Sequence, residues 1–305
     1  MNNMSNFSVF DSVDQMLNIQ SSIDYIGQPK FSPTVYHYTS IEALANIISN
    51  KKCTIRFSDV RYMNDPLELK YYLPVLLGVA DDMLKDSRID KVYFDEIKST
   101  ELPSERPYIN HEGVIEISPY NQFILSASSE ADELPMWNYY SKSNGQCNLK
   151  LSTISDLKRL INLQGCDLDV VKVIYDNEEQ KKIIAETLLS IYCIKNKNIR
   201  VALLQQLVTR ISICFKQSKC SFEKEIRVII KVNTDNLAIP VKFRWAHNLL
   251  IPYIEIELCK KAMLRDIKLG PLSKNNQISD SVKYMLEYNG FKSTSVSKSE
   301  IDMRF

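Results

Sequence analysis

Glycine is scarce in this chain: there are seven in 305 residues, and no two lie within six positions of each other. That spacing excludes a G-x-G-x-x-G dinucleotide loop, a Walker P-loop and a G-x-S-x-G nucleophile elbow. Each of these needs glycines at short, fixed offsets to turn the backbone or bring it against a ligand. Histidine is scarcer still. His37, His111 and His247 have no second His or Cys at helical ligand spacing, so no zinc site is expected. The seven cysteines are odd in number, scattered and without a C-x-x-C pair, which suits reduced core thiols in a cytoplasm. Neither sign of charge is in excess: a net +1 offers no global attraction to nucleic acid or to an anionic membrane. The longest apolar stretch, Tyr71 to Ala80, contains Pro74 and Gly78 and falls far short of the ~20 residues of a membrane helix. The N-terminus, Met1-Asn2-Asn3-Met4-Ser5-Asn6, lacks the charged-then-apolar plan of a signal peptide.

With 45% apolar and 25% charged residues, the chain has the composition of a soluble globular protein able to bury a full core. We expect one domain over 1–305, with 1–33 as an N-terminal extension and the polar stretch 85–120 as an insertion or long loop. Phe10 to Ser22 reads as a helix and Val35 to Tyr38 as a strand. Thr39-Ser40-Ile41-Glu42 fits a capping box with Thr39 as N-cap. Cys53 to Ser58 reads as a strand, and Asn64-Asp65-Pro66 as a turn that starts a helix running to about Leu84. Later strands are read at Gln122 to Ser128, Gln146 to Leu151, Leu168 to Tyr175, Phe222 to Val232, Leu249 to Glu257 and Asp266 to Leu269. Helices are read at Glu133 to Ser141, at Glu178 to Lys216 with a break near Asn196, and at Ser279 to Tyr288, closed by Asn289-Gly290. Hairpin-like strands with inserted helices make an α+β plan, not a regular βαβ alternation. The basic run Lys195-Asn196-Lys197-Asn198-Ile199-Arg200 is the local patch open to nucleic acid, although such a run is more often a solvated turn between helices.

Two islands carry chemistry. In Phe222 to Val232, alternation puts Phe222, Lys224, Ile226, Val228 and Ile230 on one face and Glu223, Glu225 and Arg227 on the other. Two carboxylates beside a guanidinium can stabilise a developing cation or orient a ribose hydroxyl. The same pattern also fits a solvated sheet face with surface ion pairs worth roughly 0 to 1 kcal/mol each. The other island is Tyr36-His37-Tyr38-Thr39-Ser40, where a strand ends and a helix begins. A His there, with a hydroxyl two residues on, can bond sugar hydroxyls, and the helix N-terminus behind it favours a pyrophosphate. A half-buried His37 with Thr39 as a plain cap is the alternative. Met136-Trp137, with Tyr139 and Tyr140, offers an aromatic wall for a base or a nicotinamide ring, or else ordinary core packing.

These motifs, in order, resemble a bacterial family, domain of unknown function 2971. The resemblance rests on Tyr36-His37-Tyr38-Thr39-Ser40, Phe57-Ser58, Asn64-Asp65-Pro66 with Glu68, and Leu125-Ser126-Ala127-Ser128 with Met136-Trp137. It continues through Glu223-x-Glu225-x-Arg227, Ile267-Lys268-Leu269-Gly270-Pro271 and Ser299-Glu300-Ile301-Asp302-Met303-Arg304, covering about residues 34 to 305. Ser126-Ala127-Ser128 stands where a Cys-Phe-Ser type segment is expected, which removes an aromatic. The strand-end His and the Glu-x-Glu strand also resemble the ADP-ribosyltransferase fold. That resemblance implies split antiparallel or mixed sheets with inserted helices, and NAD as substrate, bound without a glycine-rich loop. It further implies that His37, with Tyr38 and Thr39 or Ser40, grips NAD, helped by Asn64 and Arg227. Tyr62 or Trp137 stacks on nicotinamide, Glu225 is catalytic and Glu223 orients the acceptor.

The first functional reading is therefore an NAD-consuming, ADP-ribosyltransferase-type enzyme, acting on protein, nucleic acid or water. By family analogy it serves as a bacterial toxin or phage-defence effector, with a cognate defence partner. A metal-dependent nuclease-type effector using His37, Asp65, Glu223 and Glu225 is the second. A non-catalytic sensor or partner-binding module, in which Glu223 and Arg227 form structural ion pairs, is the third. On the first reading Glu225→Gln costs about 1 kcal/mol or less in folding, as for a solvent-facing strand carboxylate.

Overall fold

The computed structural model describes residues 7–30, 34–63, 65, 67, 69–103, 106–118, 120–140, 145–151, 166–233, 239–246, 248–258 and 264–302. The helices are α1 (Phe7–Tyr25), α2 (Ile41–Ile47), α3 (Tyr72–Lys85), α4 (Lys91–Ser99), α5 (Leu134–Tyr140), α6 (Asn177–Tyr192), α7 (Lys197–Cys214) and α8 (Asn276–Tyr288). The strands are β1 (Tyr36–Ser40), β2 (Ile48–Ser49), β3 (Lys52–Asp59), β4 (Arg106–Ile109), β5 (Ile115–Ser118), β6 (Tyr120–Ser128) and β7 (Gln146–Leu151). They continue with β8 (Cys166–Lys172), β9 (Glu225–Asn233), β10 (Lys242–Ala246), β11 (Leu249–Glu257), β12 (Leu264–Leu269) and β13 (Ser295–Lys298). The class is α+β, built on an 11-stranded mixed sheet with β4 and β5 as a separate hairpin.

One strand organises the sheet. Along one edge β6 pairs with β9 over its full length, from Tyr120↔Asn233 to Ser128↔Glu225. Its other edge is shared: β3 takes Phe123 and Ile124, while β1 takes Ser128. Leu125 to Ala127 have no strand partner on that edge among the described residues. Two wings, β10-β11-β3 and β1-β7-β12-β13, therefore diverge from β6 and leave a fork between them.

Both faces of the sheet are covered. On one side α1, α3, α4, α6 and α7 pack with Ile124, Val171 and Ile229 of the sheet. On the other, α2 and α8 cover β3, β6, β7, β9, β11 and β12 through side chains such as Leu44, Phe57, Val228, Leu149 and Leu286. Helix α7 is buried nearly all round from Ala202 to Cys214, as a helix at the centre of a layer must be. Asn196 sets the break before it by capping its N-terminus with its side chain.

Four sequence expectations change. The stretch 85–120 is not a long loop. It forms α4, capped by Asp90, and the β4–β5 hairpin, and buries Tyr93, Ile97 and Ile109 in the helical core. The helix expected from Pro66 begins only at Tyr72. The cap of α2 is Ser40, whose hydroxyl accepts from Ala43 N, while Thr39 stays in the strand opposite Cys147. Phe222 and Glu223 end a 3-10 turn (Ser218–Glu223), Lys224 takes a left-handed φ of 43°, and β9 starts at Glu225. The basic run around Lys195 is partly neutralised: Arg200 forms a bidentate pair with Glu96 and bonds the carbonyls of Ile194 and Lys195 in the turn between α6 and α7. Among the described residues no helix is long and apolar enough to cross a membrane.

Candidate functional site

The fork contains a cavity of about 530 Å³. β1 contributes Tyr36, His37 and Tyr38, β3 contributes Arg56 and Ser58, and β6 contributes Ile124 to Ala127. The remaining wall comes from Tyr62, Met63 and Asp65, the α5 residues Met136, Tyr139 and Tyr140, the segment Lys216 to Glu225, and Arg244. A larger groove of about 1680 Å³ lies between α1 and α6. Its lining has neither His37 nor the glutamate pair and carries only scattered charges, so chemistry converges in the smaller cavity.

His37 fills the fork. Because β3 and β1 leave Ser126 without a strand partner on that edge, its carbonyl is free to accept from His37 Nδ1 at 3.0 Å. A carbonyl can only accept, so Nδ1 carries the proton and Nε2 is left with a lone pair. Burial pushes the imidazole pKa down, against the smaller opposing effect of the Ser126 bond. A neutral acceptor nitrogen therefore sits in the cavity wall.

Opposite lies a buried charge network. Arg227 is fully enclosed and grips Glu225 with both Nε and Nη2, at 3.1 and 3.0 Å, while Nη1 donates to Ile213 O at the end of α7. Lys216, just past α7, bridges Glu223 at 2.7 Å and Glu225 at 3.0 Å. Tyr140 donates to Glu223 at 3.3 Å, and the Tyr175 hydroxyl accepts from Glu225 N. Burial alone would raise the Glu225 pKa; Arg227 and then Lys216 more than reverse this and hold it at about 2. The Ser126 hydroxyl leans toward the same carboxylate and lowers it further, although its geometry falls short of a hydrogen bond. Glu223 goes the other way: burial raises its pKa, only partly offset by Lys216. Two adjacent carboxylates thus hold their protons differently, one permanently charged and one able to take a proton nearer neutrality.

This network corrects the solvated-face reading. Alternation does place Glu225 and Arg227 on one face, but α7 and Lys216 cover that face, leaving Glu225 4% exposed and Arg227 fully buried. Of the expected site residues, the cavity lining contains His37, Tyr38, Tyr62, Glu223 and Glu225. Thr39 and Ser40 are not in it, and Ser40 spends its hydroxyl on capping the seven-residue α2, so the helix N-terminus is no anion site. Arg227 lies behind the wall. Trp137 is fully buried: its indole N–H donates to Asp132 at 2.8 Å and its ring meets Tyr38 edge-on at 4.6 Å. It belongs to the packing, not to a stacking platform, and of the two candidates only Tyr62 faces the cavity. Asn64 lies outside the described residues.

Other motifs position the wall. Tyr38 donates to Glu130 O and accepts from Glu133 N, pinning the loop that starts α5. Asp132 in that loop accepts from Trp137, Ser299 and Glu300 N, tying the C-terminal motif to the cavity. Lys216, Arg56 and Arg244 carry much of the cavity's charge, and the sequence offered no local signal for them, because each lies outside both islands and enters the cavity only through the fold. Among the described residues no group of three or more His, Cys, Asp or Glu side chains could hold a metal ion. No family model, curated protein or solved structure matches the chain.

Proposed function

We propose that the chain is an NAD-consuming enzyme of ADP-ribosyltransferase type, related to the family of unknown function that its motifs resemble. One observation carries this reading: His37 and the Glu223–Glu225 pair, far apart in the chain, line a single cavity at a fork in the sheet. Its volume, about 530 Å³, is in the ordinary range for a small-molecule site. Breaking the glycosidic C–N bond sends its electron pair to the nicotinamide nitrogen and leaves a cationic ribose. A carboxylate held ionised by Arg227 and Lys216 stabilises that cation without reorganising. The acceptor oxygen then attacks the anomeric carbon, and its proton passes to Glu223, whose raised pKa suits the task. His37 Nε2 accepts from a ribose hydroxyl, and Tyr62 stacks on a ring. The glutamates already face cations of the protein itself, which is the reverse of a divalent-metal site. A ligand-binding sensor shares the cavity and differs only in lacking turnover.

The test is release of nicotinamide from NAD, with and without added protein or nucleic acid. Glu223→Gln should lower the rate about 10²- to 10⁴-fold, the contribution of a positioned general base. A wild-type chain that binds no NAD and releases no nicotinamide under any acceptor condition overturns the proposal.

A further inference from the structure

The wing β10-β11-β3 turns a row of polar side chains toward the cavity side. Register aligns Arg56 with Glu255, Ser58 with Tyr253, and Tyr253 with Lys242. Arg244, two residues beyond Lys242, shares that face. Lys242 pairs with Glu255, and so does Arg56 through Nε. Arg56 also stacks over the Tyr253 ring at 4.9 Å. Arg244 is different. It is half-buried in the cavity wall, bonds only Ser58 Oγ at 3.3 Å, and has no carboxylate partner among the described residues. Its main charged neighbour is a like charge, Arg56; burial and that charge together push its pKa down. On this wing Arg56 and Lys242 share one carboxylate, Glu255, and Arg244 pairs with none among the described residues. Across the cavity, Lys216 and Arg227 balance Glu223 and Glu225. Besides the Lys216 network, the cavity lining carries two cations, Arg56 and Arg244, on the wall formed by β3 and β10, and one further carboxylate, Asp65.

We infer that Arg244, with Arg56, forms a phosphate subsite of the cavity that takes the pyrophosphate of a nucleotide ligand. A guanidinium presents donors in the planar fork that matches a phosphate, and a phosphate would offset the repulsion between Arg244 and Arg56. The naming of the nucleotide rests on the NAD reading. The subsite then fixes ligand direction, with phosphates toward β3 and β10 and the reacting sugar toward Glu223 and Glu225.

Calorimetric titration of the full chain with inorganic pyrophosphate, ADP-ribose and uncharged adenosine tests this. Wild type should bind pyrophosphate and ADP-ribose, more weakly as salt rises. Arg244→Gln should weaken both about 10- to 100-fold, the value of a hydrogen bond to a charged group, and leave adenosine unchanged. Its ligand-free melting temperature should equal or exceed that of wild type, since the change removes a like-charge contact. Lys242→Gln alters the charge of the same strand outside the cavity wall and should have a much smaller effect. Equal affinities in wild type and Arg244→Gln, no pyrophosphate or ADP-ribose binding by wild type, or equal weakening by Lys242→Gln each overturn the subsite. Arg244-dependent ADP-ribose binding without nicotinamide release supports the subsite and defeats the NAD reading. Nicotinamide release with an unchanged KM in Arg244→Gln does the reverse.

Discussion

Glu225 and Arg227 are two residues apart on one strand and satisfy each other out of contact with water. A buried pair of this kind is worth little against a well-packed apolar replacement, but breaking it strands a charge. Glu225→Gln should therefore cost about 3–5 kcal/mol in denaturant unfolding, well above the ~1 kcal/mol of a surface carboxylate. A loss under about 1 kcal/mol would show that Arg227 finds another partner. The pH dependence follows the same residue. Glu225 is held at about 2 against an ordinary 4.5, so its contribution is complete above about 4.5 and is lost as pH falls toward 2. Glu225→Gln should flatten the stability curve in that window. The raised Glu223 has the opposite sign, favouring the fold at low pH and losing that contribution as pH rises from 4.5 through its folded value, so Glu223→Gln should remove that loss while leaving the Glu225 fall below 4.5 in place. Trp137 gives a second residue-level check. Trp245 is 72% exposed and Trp137 is enclosed, so Trp245→Phe should leave a blue-shifted emission that resists acrylamide and does not respond to NAD. Quenching of that emission by a ligand would return Trp137 to the cavity.

At the scale of elements, the turn after β12 shows how one small residue lets two elements meet. A Cβ on Gly270 would lie 2.5 Å from Gln146 Cβ and 2.8 Å from the Trp137 ring. Gln146 holds this junction, accepting from Leu272 N and donating to Trp137 O. Gly270→Ala forces that contact apart and should cost about 1–3 kcal/mol, measured by the shift in the urea midpoint at constant slope. An unchanged midpoint would mean the turn can move aside. Legibility also varies by element. The Asn196 break, the Asn289-Gly290 stop and the apolar strands were readable because each rests on local chemistry. Helix α4 was not, because nine residues with one short apolar face look like a polar loop until Tyr93 and Ile97 have a core to enter. β10 was missed for a similar reason: Lys242, Phe243, Arg244 and Trp245 alternate charge with exposed aromatics, and little of the strand is buried.

For the whole molecule, the fork is the feature that matters, since two wings meet on β6 and the candidate site occupies the gap. A ligand held there contacts both wings, which local opening would otherwise separate. We expect saturating ADP-ribose to slow amide hydrogen exchange in β1, in β3 and in the 3-10 turn Ser218–Glu223. α8 and β13, on the far side of one wing, should be unaffected. Equal protection throughout would point to global stabilisation without a site in the fork. Protection of α1 and α6 alone would move the site to the larger groove.

Sequence alone determined that the class is α+β, that Glu225 and Arg227 share a strand face, and where the break at Asn196 and the stop at Asn289-Gly290 fall. It also singled out His37, Glu223 and Glu225 as the groups with chemistry to offer. Only the tertiary structure decided that these three line one cavity. It also decided that the Glu225–Arg227 face is dry, that Trp137 is core, and that Lys216, Arg56 and Arg244 complete the charge pattern. The reason is physical. A period of two says which side chains share a face, but whether that face is covered depends on what packs across it, and here the cover comes from α7 and Lys216, outside the strand. The meeting of His37 with Ser126 O depends on a strand edge left open by two other strands, a property of pairing that no local run of residues contains.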